Sequence, residues 1–447
     1  MSDQKQMSRQ IRLVEKTAGK MAQESAETLA WLRARDDYLQ GFDYFLDLAE
    51  KGFDPQSSDS VREKAGRPLI YLLCIQAPLE LIHAAGFHPF KIFSGSFAAG
   101  NLSAHGLPTL ICPLMRSILG AMQMTGNKEE QPWILPTTCD WVVKFPEMMK
   151  LFGAAEQRLH WLELPHIKEA RESQGLWLDE MVKLKGFLEQ LSGRKISRNA
   201  LLDSIAVYHR AWQALSRLVS LRRQGLLSSA WFLLITNTFF LGKAENWTAA
   251  LEKLLPTLPC SVNSAKRRIF LAGSPIFFPN FKLPRLLEEA GLCVTGDDIC
   301  SGERLFPGGV SFKDSSVFGL IEALAQRYHQ GCLCPTFADN QRRIRNIEAQ
   351  AEHFDGVVFH VLKGCHPYDL ESYTIESGLK KQGIKFIRLE TDHASEDSQN
   401  LLTRLEAYSH TLPSSGLRPP SPRERGEGNN SPHPLAEEGR GEGIRCT

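Results

Sequence analysis

The sequence has no surplus of either charge: 52 Lys and Arg stand against 51 Asp and Glu in 447 residues. A protein of this size that holds nucleic acid or an anionic membrane through its surface field carries a basic excess, so neither is expected as a partner. Long apolar runs are missing as well. No stretch reaches the roughly 18 apolar residues of a membrane span. The longest candidate, Leu226 to Gly242, is shorter and interrupted by Ser, Thr and Asn. Met1 to Ala18 is polar and charged, without the apolar centre of a signal peptide. A soluble, cytoplasmic protein is the expectation. Neither a Gly-x-x-x-x-Gly-Lys-Ser/Thr loop nor a Gly-x-Gly-x-x-Gly turn occurs, which excludes ATP or NAD binding through a standard phosphate loop.

What the chain does have is 43% hydrophobic residues, enough to fill sizeable cores, and ten cysteines. In a reducing compartment these are thiols, for which metal or catalytic roles outrank disulfides, while a lone buried cysteine serves equally well as a small core residue. Residues 1–65 read as helical. Around Pro68-Leu-Ile-Tyr-Leu-Leu-Cys-Ile75 the pattern changes to short continuous apolar runs, as in strands buried on both faces of a parallel sheet. Further strands are expected around Thr109-Leu-Ile-Cys112, Trp133 to Pro136 and Arg158 to Leu164. Together they define a first α/β domain over 66–165. A helical layer at 166–255 follows, with Leu, Met, Phe and Ile recurring three and four apart from Leu176 to Gln224. A second α/β domain at 256–412 has strands at Arg268 to Gly273, Cys293 to Thr295, Asp355 to Val361 and Lys385 to Glu390. Strands alternating with helices predict two doubly wound, mainly parallel, Rossmann-like or flavodoxin-like sheets. The tail 413–447, rich in Pro, Gly, Ser, Arg and Glu, is expected to be disordered.

Three passages carry a resemblance. They are Pro78-Leu-Glu-Leu-Ile-His-Ala-Ala-Gly86, then Leu135-Pro-Thr-Thr-Cys-Asp140, and last Asp355-Gly-Val-Val with Lys363-Gly-Cys-His-Pro367, continuing through Leu389-Glu-Thr-Asp392 to Arg404-Leu-Glu-Ala407. In order and spacing the set resembles the large subunits of the 2-hydroxyacyl-CoA dehydratase and benzoyl-CoA reductase family, over about Leu72 to Leu412. The resemblance implies a [4Fe-4S] cluster on three cysteines, matched here by Cys112, Cys139 and Cys365. It also implies a homologous sister subunit, an acyl-CoA substrate and a separate ATP-dependent activator that carries its own cluster and delivers a low-potential electron. The passages around Cys112 and after Cys365, where His366-Pro367 follows, depart most from the family pattern.

The implied ligands are too far apart for the local loops of ferredoxins, so the fold must gather them. Carboxyl ends of strands in open α/β sheets line a shared crevice, and each candidate is expected where an apolar strand meets a turn. Three thiolates on four irons leave one iron open, the mark of a catalytic centre. Among the other cysteines, Cys300 in a polar turn is the expected fourth candidate, and Cys332-Leu-Cys334 reads as structural. Cys74, Cys260 and Cys293 read as core, and Cys446 lies in the tail. Glu80 and His83, three apart on one helix face, are candidates for proton transfer. The plainer reading makes Glu80 a helix-start cap and His83 a satisfied core histidine. Arg304 and Arg404 suit either phosphates or exposed salt bridges. Two other functions stay open: a double-cubane-cluster reductase of small molecules, and a non-catalytic accessory subunit.

Overall fold

The computed structural model describes residues 2–53, 57–92, 94–104, 107–108, 110–125, 131–151, 158–259 and 267–413. The tail from 414 on, with Cys446, and the segment holding Cys260 lie outside them. The expected strands form two four-stranded sheets, all parallel. The first, in order β2-β1-β3-β4, contains β1 Leu69–Leu72, β2 His88–Lys91, β3 Pro132–Pro136 and β4 Arg158–Leu162. The second, in order β6-β5-β7-β8, contains β5 Arg267–Gly273, β6 Leu292–Asp298, β7 Gly356–Leu362 and β8 Phe386–Thr391. In each sheet the chain leaves its first strand to one side and later returns on the other. That reversal is the switch point where crevices open at the carboxyl ends.

Two expectations about strands fail. Thr109 lies outside the described residues, Leu110 and Ile111 form a turn, and Cys112 leads directly into the Pro113–Thr125 helix, with no strand between. The strand missed is β2, His88-Pro-Phe-Lys. Its composition reads as a loop, yet all four residues are buried. Pro89 is tolerated because β2 is an edge strand, where a missing donor breaks no ladder. His88 and Lys91 are buried because Phe240 meets both: its carbonyl bonds His88 Nε2 at 3.0 Å, and its ring, with that of Phe277, packs on the Lys91 ammonium.

The Ser173–Ser192, Arg198–Arg223, Ser229–Asn237 and Ala244–Leu254 helices fill the chain between the sheets. The Ser197 hydroxyl caps the Arg198–Arg223 helix by accepting the Ala200 N–H at 3.1 Å. The longest apolar run becomes the Ser229–Asn237 helix, buried at every position, with Trp231 stacked on Phe42. A helix apolar all round belongs inside a protein core or a membrane; among the described residues none is long and apolar enough to cross a membrane. One apolar cluster joins residues of both sheets, from Leu69 and Trp133 to Ile269 and Leu389, so the two sheets share a core.

Candidate metal centre

Cys112, Cys139 and Cys365 come together, and each stands at the start of a helix. Cys139 is the N-cap of Asp140–Val143 and Cys365 that of His366–Lys381. Cys112 immediately precedes Pro113–Thr125, and its carbonyl accepts the Arg116 N–H at 3.1 Å. First-turn amides point at the sulfurs: those of Leu114 and Met115 at Cys112, Trp141 and Val142 at Cys139, and Tyr368 at Cys365. His366-Pro367, the departure after Cys365, has a local reason. Proline fits the first turn of a helix, where its missing N–H would go unused.

The three turns lock together through Gly364. Its φ of +74° is open to glycine, and a Cβ there would stand 2.4 Å from the Leu110 carbonyl oxygen. The Trp141 indole N–H donates to the Gly364 carbonyl at 3.3 Å, tying the Cys139 helix to the Cys365 turn. The Cys112 and Cys365 thiols hydrogen-bond to each other. That bond holds Cys112 below the ordinary thiol value and, with burial, drives Cys365 well above it. Burial pushes Cys139 up to about 11.

A second group lies close by. Cys74 follows β1, Cys300 follows β6, and Cys332 and Cys334 follow the Val317–Gly331 helix. Burial raises Cys74 well above the normal thiol range, Cys332 to about 12 and Cys334 to about 11. The mutual repulsion of the four thiols adds to this. Cations surround them. Arg304 acts on Cys300, Cys332 and Cys334, Arg343 on Cys334, and Lys91 on Cys74 and Cys300. Lys168 donates to the Cys332 carbonyl. Desolvation brings Lys91 down to about 8. Tyr368 stands between the two groups: its amide serves Cys365, and its hydroxyl accepts from Arg304 at 2.7 Å beside Cys300 and Cys334.

The structure therefore places Cys300 with Cys74, Cys332 and Cys334, away from the three cysteines it was expected to join. Cys293 lies within β6. The strand ends, once known, give a common signal. Cys74 and Cys300, like Cys139 and Cys365, stand two or three residues past a strand, the place that faces a crevice.

Of the charged candidates, His83 matches the plainer reading and Glu80 does not. Glu80 caps nothing: Pro78 is the N-cap of its helix. Glu80 lies buried with Arg327 on one carboxylate oxygen at 2.6 Å and the Tyr328 hydroxyl on the other at 3.0 Å. His83 is a satisfied histidine, with Nδ1 3.1 Å from the Ser204 hydroxyl and its pKa lowered to about 4 by burial. Arg304 is held by Asp298 and Tyr368 and is not an exposed salt bridge, whereas Arg404 reaches the Arg388 carbonyl at the surface.

Residues 74–412 match the family model described as 2-hydroxyglutaryl-CoA dehydratase, D-component. The chain belongs to that family. Similar curated proteins include one from Escherichia coli (strain K12), provisionally named dehydratase subunit YjiM, 29% identical over 83% of this chain and 97% of the relative. The (R)-2-hydroxyglutaryl-CoA dehydratase subunit beta of Acidaminococcus fermentans is 22% identical over 78% of this chain and 93% of its own. A benzoyl-CoA reductase subunit of Thauera aromatica is also 22% identical, over 77% and 91%. As a D-component family member, the chain is an enzyme-associated subunit of the dehydratase and reductase kind. The match begins at Cys74 and spans both thiol groups.

Among the described residues, no three His, Cys, Asp or Glu side chains are set to hold a single metal ion. Thiol-only donor sets suit soft metals and iron–sulfur clusters, and a cluster takes its thiolates on separate irons.

Proposed function

We propose that this chain is the iron–sulfur subunit of a radical enzyme acting on coenzyme A thioesters, of the 2-hydroxyacyl-CoA dehydratase or benzoyl-CoA reductase type. Cys112, Cys139 and Cys365 would hold its [4Fe-4S] cluster. The observation that carries this reading is the meeting of three thiols from opposite halves of the chain, each receiving helix amides. The residues fit the group. The donors are all sulfur, Gly364 permits close approach, and amide N–H groups at helix starts favour retained negative charge. Bound there, such a cluster supplies low-potential one-electron chemistry and, having only three protein thiolates, one open iron. The chain's own part is to hold the thiols in register through Trp141 and Gly364 and to exclude water by burial. The reading includes a homologous sister subunit, an acyl-CoA substrate and an ATP-dependent activator with its own cluster.

The four-thiol group favours a second reading, a double-cubane-cluster reductase of small molecules. Four buried thiols among Lys91, Lys168, Arg304 and Arg343 suit a second anionic cluster, with Tyr368 between the two sites. Anaerobic purification tests both. About four irons per chain fits the first reading and about eight fits the second. Cys139→Ala should bleach the visible absorbance of a single-cluster protein and lower the iron of a double one. A colourless protein, iron-free after reconstitution, would leave only an accessory subunit.

A further inference from the structure

The three sulfurs are not served alike. At Cys112 the amides two and three residues on, Leu114 and Met115, donate to the sulfur, and at Cys139 those of Trp141 and Val142 do the same. At Cys365 the residue three on, Tyr368, donates, but the residue two on is Pro367, which has no N–H. The helix does not miss that donor, because a first-turn amide has no partner inside the helix. The sulfur does.

A side chain from another strand fills the gap. The Ser274 hydroxyl hydrogen-bonds the Cys365 sulfur. Ser274 follows β5, is wholly buried, and is pinned on every side. Its N–H donates to the His360 carbonyl at 2.7 Å, its carbonyl accepts from His360 Nδ1 at 3.0 Å, and its hydroxyl oxygen accepts the Leu362 N–H at 3.1 Å. A hydroxyl carries a single proton beside its acceptor positions. With the Leu362 amide taking an acceptor position, that proton is left to donate, and the Cys365 sulfur is the acceptor it meets. Gly273, at a φ of +105°, brings the chain this close to β7, for a Cβ there would collide with the His360 carbonyl.

We propose that Ser274 gives the Cys365 thiolate its second hydrogen bond in place of the amide that Pro367 lacks, and that this bond sets the reduction potential of the cluster. The inference rests on the assignment of the cluster to Cys112, Cys139 and Cys365, and adds a determinant outside the cysteine motifs. A donor aimed at a ligand sulfur stabilises the reduced cluster, which carries one more negative charge, more than the oxidised one. Ser274 is a positioning residue that acts through Cys365, and its hydroxyl makes the electron easier to accept.

Potentiometric titration of the anaerobically purified, full-length protein, followed by electron paramagnetic resonance, tests this. The signal that Cys139→Ala abolishes is the one to read. Ser274→Ala should make its reduction about tenfold less favourable, a potential about 59 mV more negative for one electron. The potential is a ratio of oxidised to reduced signal, so partial loading does not alter it. Pro367→Ala, which gives position 367 an N–H, should reverse most of the shift in the Ser274→Ala protein. A merely structural loss would not be reversed in this way. Ser372→Ala is the control: it removes a buried hydroxyl from the same helix, where it donates to the Asp369 carbonyl at 2.6 Å, and should leave the potential unchanged. An unmoved potential in Ser274→Ala, a shift that Pro367→Ala does not reverse, or an equal shift in Ser372→Ala overturns the proposal. So does a Ser274→Ala protein that holds no iron, since a donor that only tunes is not needed for assembly. A parent protein without iron fails the cluster assignment itself, whereas a parent with iron and an unmoved potential fails the role of Ser274 alone.

Discussion

Glu80 shows what a residue's surroundings decide. In sequence it is a carboxylate at a helix start, and capping was the economical reading. The structure gives it Arg327 and Tyr328, which lie far along the chain in the other half of the molecule. Both members of the Glu80–Arg327 pair are almost wholly buried. Removing one partner of such a pair strands the other's charge in the core. Glu80→Ala should therefore lower unfolding stability by about 3–5 kcal/mol in urea titrations. A loss within about 1 kcal/mol, typical of a surface pair, would show that the contact matters little. The cysteines were more legible. Cys139 and Cys365 stand in motifs whose order along the chain marks the family, Cys112 was matched by position alone, and the fold brings the three together. Cys74, Cys300, Cys332 and Cys334 escaped grouping because no short motif joins them. Their neighbours Lys91 and Tyr368 carry no sequence signal of such a position.

At the scale of elements, most strands were legible because a parallel strand buried on both faces is a continuous apolar run, as in Trp133 to Leu135 or Val357 to Leu362. The two errors share a cause. Leu110-Ile-Cys112 is a turn whose Leu110 carbonyl meets Gly364 while the Leu110 side chain is exposed, and β2 carries His88 and Lys91 because Phe240 and Phe277 accommodate them. In both places tertiary contacts override local pattern. The turns themselves are testable. Gly364→Ala would strain a left-handed backbone and press a methyl group on the Leu110 carbonyl. Its expected outcome is a folded protein, unchanged in far-ultraviolet circular dichroism, with less than half the parent's iron after identical reconstitution. Parental iron would show that the turn has slack.

The whole molecule should be sensitive to acid. Burial holds His88 and His360 at about 4, below the usual 6.5. The unfolded chain therefore takes up protons that the folded one refuses. The stabilising effect is complete above pH 6.5 and is lost as pH falls towards 4, by up to about 3 kcal/mol for each residue. The urea midpoint should drop between pH 7.5 and pH 4.5, and His88→Gln should shrink the drop. A midpoint that stays level over that interval would contradict the neutral, buried state of these rings.

Cys112 and Cys139 belong to the first half of the chain, and Cys365 arrives only with β7. The complete set of three cannot exist until both sheets have been made and have docked. On the proposed assignment, delivery of iron and sulfide has to follow that docking, and truncation before residue 365 would leave a protein with no assembled place for them.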